Sequence, residues 1–173
     1  PYRHTPALPG SPGSDRYFTI WQDSDSRLWF GTQDGISIYS PELDRFSRFS
    51  SLESGIPAPE AGNSGTAASS GGGISFCVRH ISGDGEGNVL IAGDGSSLMR
   101  FDRNAGTLTD LGLRDWAASR GLDPNALSVR DVVPDTAGLY LATIGAGLLR
   151  LSLEDGSVTA FTPVGGGNLN ETT

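Results

Sequence analysis

Along the chain, apolar residues recur at alternate positions in short runs, and each run is closed by a cluster of Gly, Asp and Asn. Tyr17-Phe18-Thr19-Ile20, Leu28-Trp29-Phe30-Gly31-Thr32 and Gly35-Ile36-Ser37-Ile38-Tyr39 are three such runs, followed by Phe46 and Phe49. Period-two alternation with aromatic and β-branched residues predicts strands, and the polar clusters between them predict tight turns. The series then recurs. Val78-Arg79-His80-Ile81 precedes a run from Asp84 through Gly87-Asn88-Val89-Leu90-Ile91-Ala92-Gly93 to Leu98-Met99-Arg100-Phe101. Val129-Arg130-Asp131-Val132 precedes one from Asp135 through Gly138-Leu139-Tyr140-Leu141-Ala142-Thr143 to Gly147-Leu148-Leu149-Arg150-Leu151.

Four strands per unit follow from this pattern. They are predicted at 16–22, 28–32, 36–40 and 46–50; at 74–82, 88–93, 97–102 and 107–112; and at 127–133, 139–143, 147–152 and 157–162. Gln33-Asp34-Gly35, Asn104-Ala105-Gly106 and Asp155-Gly156 supply hairpin chemistry, since Gly accepts positive φ and Asp or Asn bonds its own backbone. The stretch 54–73, rich in Gly, Ala and Ser, reads as a flexible surface insertion. Arg114 to Arg120 followed by Gly121 reads either as two helical turns with a glycine stop or as an irregular segment.

A strand-only unit repeated at this period means a propeller or a solenoid. Stacking four-stranded sheets radially gives the propeller, with the large residue at Trp29, Leu90 or Tyr140 packed between neighbouring blades. The fold class expected is all-β: residues 1–173 form part of a β-propeller, an open arc of three antiparallel blades at 16–50, 74–112 and 127–162. Tyr2-Arg3-His4 reads as the outer strand of a preceding unit and 168–173 as the lead-in to a following one, as if both ends fell within a repeat.

Composition narrows the partners. The net charge is −8, and all 12 basic residues are Arg, scattered singly. Nucleic acid is therefore not an expected partner, because phosphate binding needs a basic face. No apolar run reaches the roughly 18 residues of a membrane span, so this segment is expected to make no membrane contact, and the first residues are not a signal peptide. Cys77, the single cysteine, stands within an apolar run and reads as a small buried residue.

Candidate chemistry is sparse. Asp84-Gly85-Glu86-Gly87-Asn88 spaces oxygen ligands as a calcium loop begins, but Val89 stands where an EF-hand needs Gly and Gly95 where it needs Glu, so a hairpin turn is the better reading. Gly83, Gly85 and Gly87 are followed by no helix that could hold a phosphate. Neither His4 nor His80 has zinc spacing, and no G-x-S-x-G elbow occurs. Asp23, Asp84 and Asp135 recur in every unit, which turn hydrogen bonding explains better than catalysis. No metal, cofactor or catalytic set is expected. What remains is the inner strand of each unit. Arg79 and Arg130 hold matching positions beside His80 and Asp131, with Phe18 and Thr19 in the first unit. Inner strands border a propeller's channel, so Arg79, His80, Arg130 and Asp131 are the candidate ligand-binding residues. The alternative is that they pair with acidic neighbours in adjacent blades.

The run Asp23 to Thr32 with Gly35, and its echoes at Asp84 to Gly93 and Asp135 to Thr143, resembles the two-component regulator propeller repeat. That pattern is V-x-x-I, then D-x-x-G-x-L-W-hydrophobic-G-T, then Gly and a strand ending in an aromatic. Ser26 stands in place of its Gly, Leu90 and Tyr140 in place of its Trp, and the third turn is one residue shorter. The resemblance implies a seven-bladed propeller on the outer, periplasmic or extracellular side of a bacterial inner membrane, binding a small molecule or glycan. It implies, too, that a kinase or diguanylate cyclase carries the output and that the receptor can dimerise. Two other readings stay open: part of a propeller lyase or glycosidase, and a lectin-like binder that closes its ring by dimerisation.

Overall fold

The computed structural model describes residues 2–8, 10–49, 74 and 76–161. Within them, three four-stranded antiparallel sheets form, each with its strands in chain order. The first blade holds β1 (Tyr17–Gln22), β2 (Leu28–Thr32), β3 (Gly35–Ser40) and β4 (Arg45–Arg48). The second holds β5 (Val78–Gly83), β6 (Val89–Gly93), β7 (Leu98–Asp102) and β8 (Thr107–Asp110). The third holds β9 (Ser128–Asp135), β10 (Gly138–Ile144), β11 (Leu148–Ser152) and β12 (Val158–Ala160). The strand β5 pairs within its own sheet and also packs against β1, β2 and β9, so the inner strands lie side by side.

Two apolar layers join the blades. Between the first and second lie Trp29, Ile36, Ile38, Phe49, Val78, Ile81, Val89, Ile91 and Phe101. Trp29 is fully buried, its ring 5.9 Å from Phe49 and 6.2 Å from Phe101. Between the second and third, Leu90 and Leu98 meet Leu139, Leu141, Leu149 and Leu151. Helix α1 (Leu113–Ser119) caps that layer with Leu113 and Ala117, and Gly121 behind it takes a left-handed φ of 72°. Tyr140, at the position of Trp29 and Leu90, is only half-buried and packs on Phe161 at 6.0 Å, because its face lies on the far side of the third blade.

The aspartate repeated in every unit closes the turn after the inner strand. Asp23 accepts the backbone N–H of Asp25 and Arg27 and the Trp29 indole at 2.9 Å. Asp84 accepts the N–H of Glu86 and Asn88 and, where no indole exists, Arg100 Nε at 2.9 Å. Asp135 is reached by Arg150 at 3.3 Å. Arg100 and Arg150 stand directly across the ladder from Leu90 and Tyr140, where the first blade has Ile38 opposite Trp29. A missing indole donor is thus replaced by a guanidinium from the neighbouring strand.

Several expectations are corrected. Residues 2–5 form no strand; Tyr2 instead lies against Tyr39 and Phe46 and covers the outer part of the first blade. The strand expected from 74 begins at Val78, because the lead-in crosses the first blade's β2–β3 turn, with Ile74 O 2.7 Å from where a Cβ on Gly35 would sit. The fourth strand of the second blade ends at Asp110, not at 112, as the chain turns into α1. Cys77 is half-buried rather than in the core. The insertion expected at 54–73 and the lead-in at 168–173 lie outside the described residues.

Candidate functional site

All three inner strands carry an irregularity at the same place. Pairing slips between Tyr17 and Thr19, between Val78 and His80, and between Val129 and Asp131, leaving Phe18, Arg79 and Arg130 without a cross-strand partner. Each is a β-bulge, which bends the strand and re-aims the extra side chain. The sequence match between Arg79, Arg130 and Phe18 is therefore a match of bulge positions.

These side chains meet along one ledge. Arg79 lies over Phe18, its guanidinium carbon 4.1 Å from the ring centroid, a cation–π contact from the second blade to the first. Its Nη2 donates to Asp94 Oδ2 at 2.8 Å and its Nε to the same oxygen at 3.2 Å. Asp94, in the β6–β7 turn, also accepts the Ser128 hydroxyl at 2.5 Å and forms an isolated bridge with Ser128, so it ties the second blade to the third. Arg130 Nη2 stands 3.9 Å from Asp94 Oδ1, beyond hydrogen-bond reach, and its side chain is 39% exposed. Phe18 is 42% exposed. The Arg79 hydrogen bonds hold the Asp94 carboxyl below its usual range despite partial burial, with Ser128 adding to the effect.

The other two candidates form a separate contact. His80 Nδ1 lies 2.9 Å from Asp131 Oδ1 across the joint between β5 and β9. Among the described residues, His80 Nε2 is buried without a hydrogen-bond partner, as is Ser82 Oγ on the same strand. The structure thus brings Arg79 and Arg130 together around Asp94 and sets His80 with Asp131 beside them. Arg79 pairs with Asp94 inside its own blade, whereas His80 and Asp131 face each other across adjacent blades. Sequence reasoning did not single out Asp94 or Ser128. Both are marked only by being near the bulges in space, which a linear pattern does not display.

No group of three or more residues suited to a metal occurs among the described residues. At the loop that opens like a calcium site, Asp84 is taken up by Arg100, Asn88 and backbone donors. A polar groove of about 160 Å³ beside it is lined by Asn88, Arg100, Asp102, Thr107 and Thr109. The ledge offers guanidinium donors, carboxylate acceptors and an aromatic face.

Comparison with solved structures places the fold. The chain superposes with a TM-score of 0.67 and 17% identity on the extracellular domain assigned to the hybrid two-component system BT3049 of B. thetaiotaomicron, over 92% of this chain and 20% of that one. A second similar structure is the extracellular domain assigned to the one-component system BT4673 of the same bacterium. Its TM-score is 0.57 with 15% identity, over 86% of this chain and 16% of that one. The chain spans a fifth or less of the length of these structures. No family model and no curated protein sequence matches it. At this identity the likeness defines the class of fold alone, a β-propeller. No described helix is long and apolar enough to cross a membrane.

Proposed function

We propose that the chain is part of the extracytoplasmic sensor propeller of a bacterial signalling receptor, and that it binds and transmits rather than catalyses. The observation that carries this reading is the ledge, on which one bulge residue from each blade converges with Asp94 and exposes both charge and an aromatic face. A small molecule or glycan resting there would touch three blades at once. Output would come from a kinase or cyclase elsewhere in the receptor, and a seven-bladed ring would complete the propeller. The two extracellular domains that share this fold support the assignment.

The test uses the whole receptor. Arg130→Ala removes the most accessible donor while leaving the Arg79–Asp94 pair in place. A charge-assisted hydrogen bond contributes roughly 1.5–3 kcal/mol, so the ligand concentration for half-maximal output should rise on the order of ten-fold to a hundred-fold. An unchanged dose response would remove the ledge from the site. Turnover of a glycan by the purified chain would replace the sensor reading with an enzymatic one.

A further inference from the structure

We propose that His80 and Asp131 form a proton-sensitive joint between the inner strands of the second and third blades, closed while the imidazole is neutral and loosened when it takes up a second proton. This inference does not depend on the sensor reading. It rests on where the two ring nitrogens lie. Neutral His80 can donate from Nδ1 to Asp131, 2.9 Å away on β9, and keep Nε2 as an unprotonated acceptor. Protonation puts a second N–H on Nε2, a buried atom with no hydrogen-bond partner among the described residues. Leaving a buried donor unpaired is costly, and a positive charge there adds its own desolvation.

The neighbouring charges do not reverse this. Asp131 favours the imidazolium, but its side chain is 62% exposed and its field is screened by solvent. Arg79 on β5 and Arg130 on β9 bring positive charge to the same joint, and Asp94 is already engaged by Arg79 and Ser128. The packed strands β1, β2 and β6 carry no acidic or basic side chain; β1 holds the phenol of Tyr17, and β10 that of Tyr140. Burial pushes the His80 imidazole below its ordinary range, and the Asp131 charge restores only part of that. A folded-state value below the unfolded one near 6.5 means the fold binds fewer protons. The joint is therefore at full strength above about pH 6.5 and weakens as pH falls through that window. Because Arg79 precedes His80 and Arg130 precedes Asp131, loosening the pair shifts the two arginines of the ledge relative to each other.

The chain has two histidines, so the His80→Asn variant identifies the His80 ring signals in an NMR titration of the full chain. The expected result is a His80 midpoint below that of a free imidazole. As it titrates, amide exchange in β5 and β9 should quicken several-fold relative to β2 and β3. Asn at position 80 retains a donor for Asp131 and cannot titrate, so its exchange should lose the step. Asp131→Asn, at an exposed position, should lower the His80 midpoint further and provides the check if the first variant folds poorly. A midpoint at or above the free value overturns the proposal. So does a titration that leaves exchange in β5 and β9 unmoved, or a step that survives in His80→Asn.

Discussion

At the residue scale, the repeated aspartate shows how a fixed requirement is met with different side chains. Burial works against ionisation of Asp23, yet the Trp29 and Arg27 hydrogen bonds outweigh it and hold the carboxyl below its usual range. Asp84 is held low in the same way by Asn88, backbone N–H groups and Arg100. Stability from these two groups is present above their unfolded values near 3.9 and is lost as pH falls below that toward the folded ones, so acid unfolding should steepen below about pH 4. Arg100→Leu leaves the nearly inaccessible Asp84 carboxylate short of its charged donor and should cost about 1–3 kcal/mol in urea denaturation. Combining Leu90→Trp with Arg100→Ile imports the first blade's solution and should recover part of that loss. Trp29→Ala removes both an indole donor and the filling between blades, at a cost of about 3–5 kcal/mol. An unchanged thermal midpoint would contradict the packing described. Ser26, where the repeat otherwise has glycine, sits at a φ of 63°, the counterpart of Gly87 at 95°. Ser26→Gly should stabilise by no more than about 1 kcal/mol, because relief of left-handed strain is partly offset by a freer unfolded chain.

At the scale of elements, the closest backbone approach beside the ledge lies under Gly93 at the end of β6, where a Cβ would stand 2.1 Å from Cys77 O. Gly93→Ala must push the lead-in to β5 away from β6, and should lower the thermal midpoint by several degrees, equivalent to about 1–3 kcal/mol. The strands of this arc were legible because Asp, Gly and the large apolar residue recur in step, which fixes turn and register together. Helix α1 was legible only as one of two readings of the segment before Gly121, and the structure forms it over Leu113–Ser119. The bulges were not: an extra residue inside a run such as Val129-Arg130-Asp131-Val132 leaves no mark until the pairing partner is known. The start of β5 was missed because Ile74 is apolar for contact with the first blade rather than for membership of a strand. At the candidate site, the two arginines were visible as a repeated pair. Asp94 was hidden because it lies in a turn whose partners, Arg79 and Ser128, are 15 and 34 residues away along the chain.

At the scale of the whole chain, the first and third blades each expose apolar side chains on the face turned away from the second. On the third blade, Val133, Ile144, Leu148 and Phe161 are 55, 53, 46 and 47% exposed, and on the first Ile20 is 63% exposed. Apolar sheet faces of this kind associate, so the chain should self-associate with rising concentration in sedimentation velocity despite its net charge of −8. Val133→Asp with Leu148→Ser should shift it toward monomer without lowering the thermal midpoint. A monomer at every concentration would show that these faces are not adhesive. The bulges carry a different consequence, for how such a chain diversifies. A residue that answers to no cross-strand partner is released from the constraint its neighbours obey, and the three copies already differ there as Phe18, Arg79 and Arg130. Duplication of the unit copies the slip along with the strand, so each added blade brings one position at the ledge that can vary while the ladder on either side stays intact.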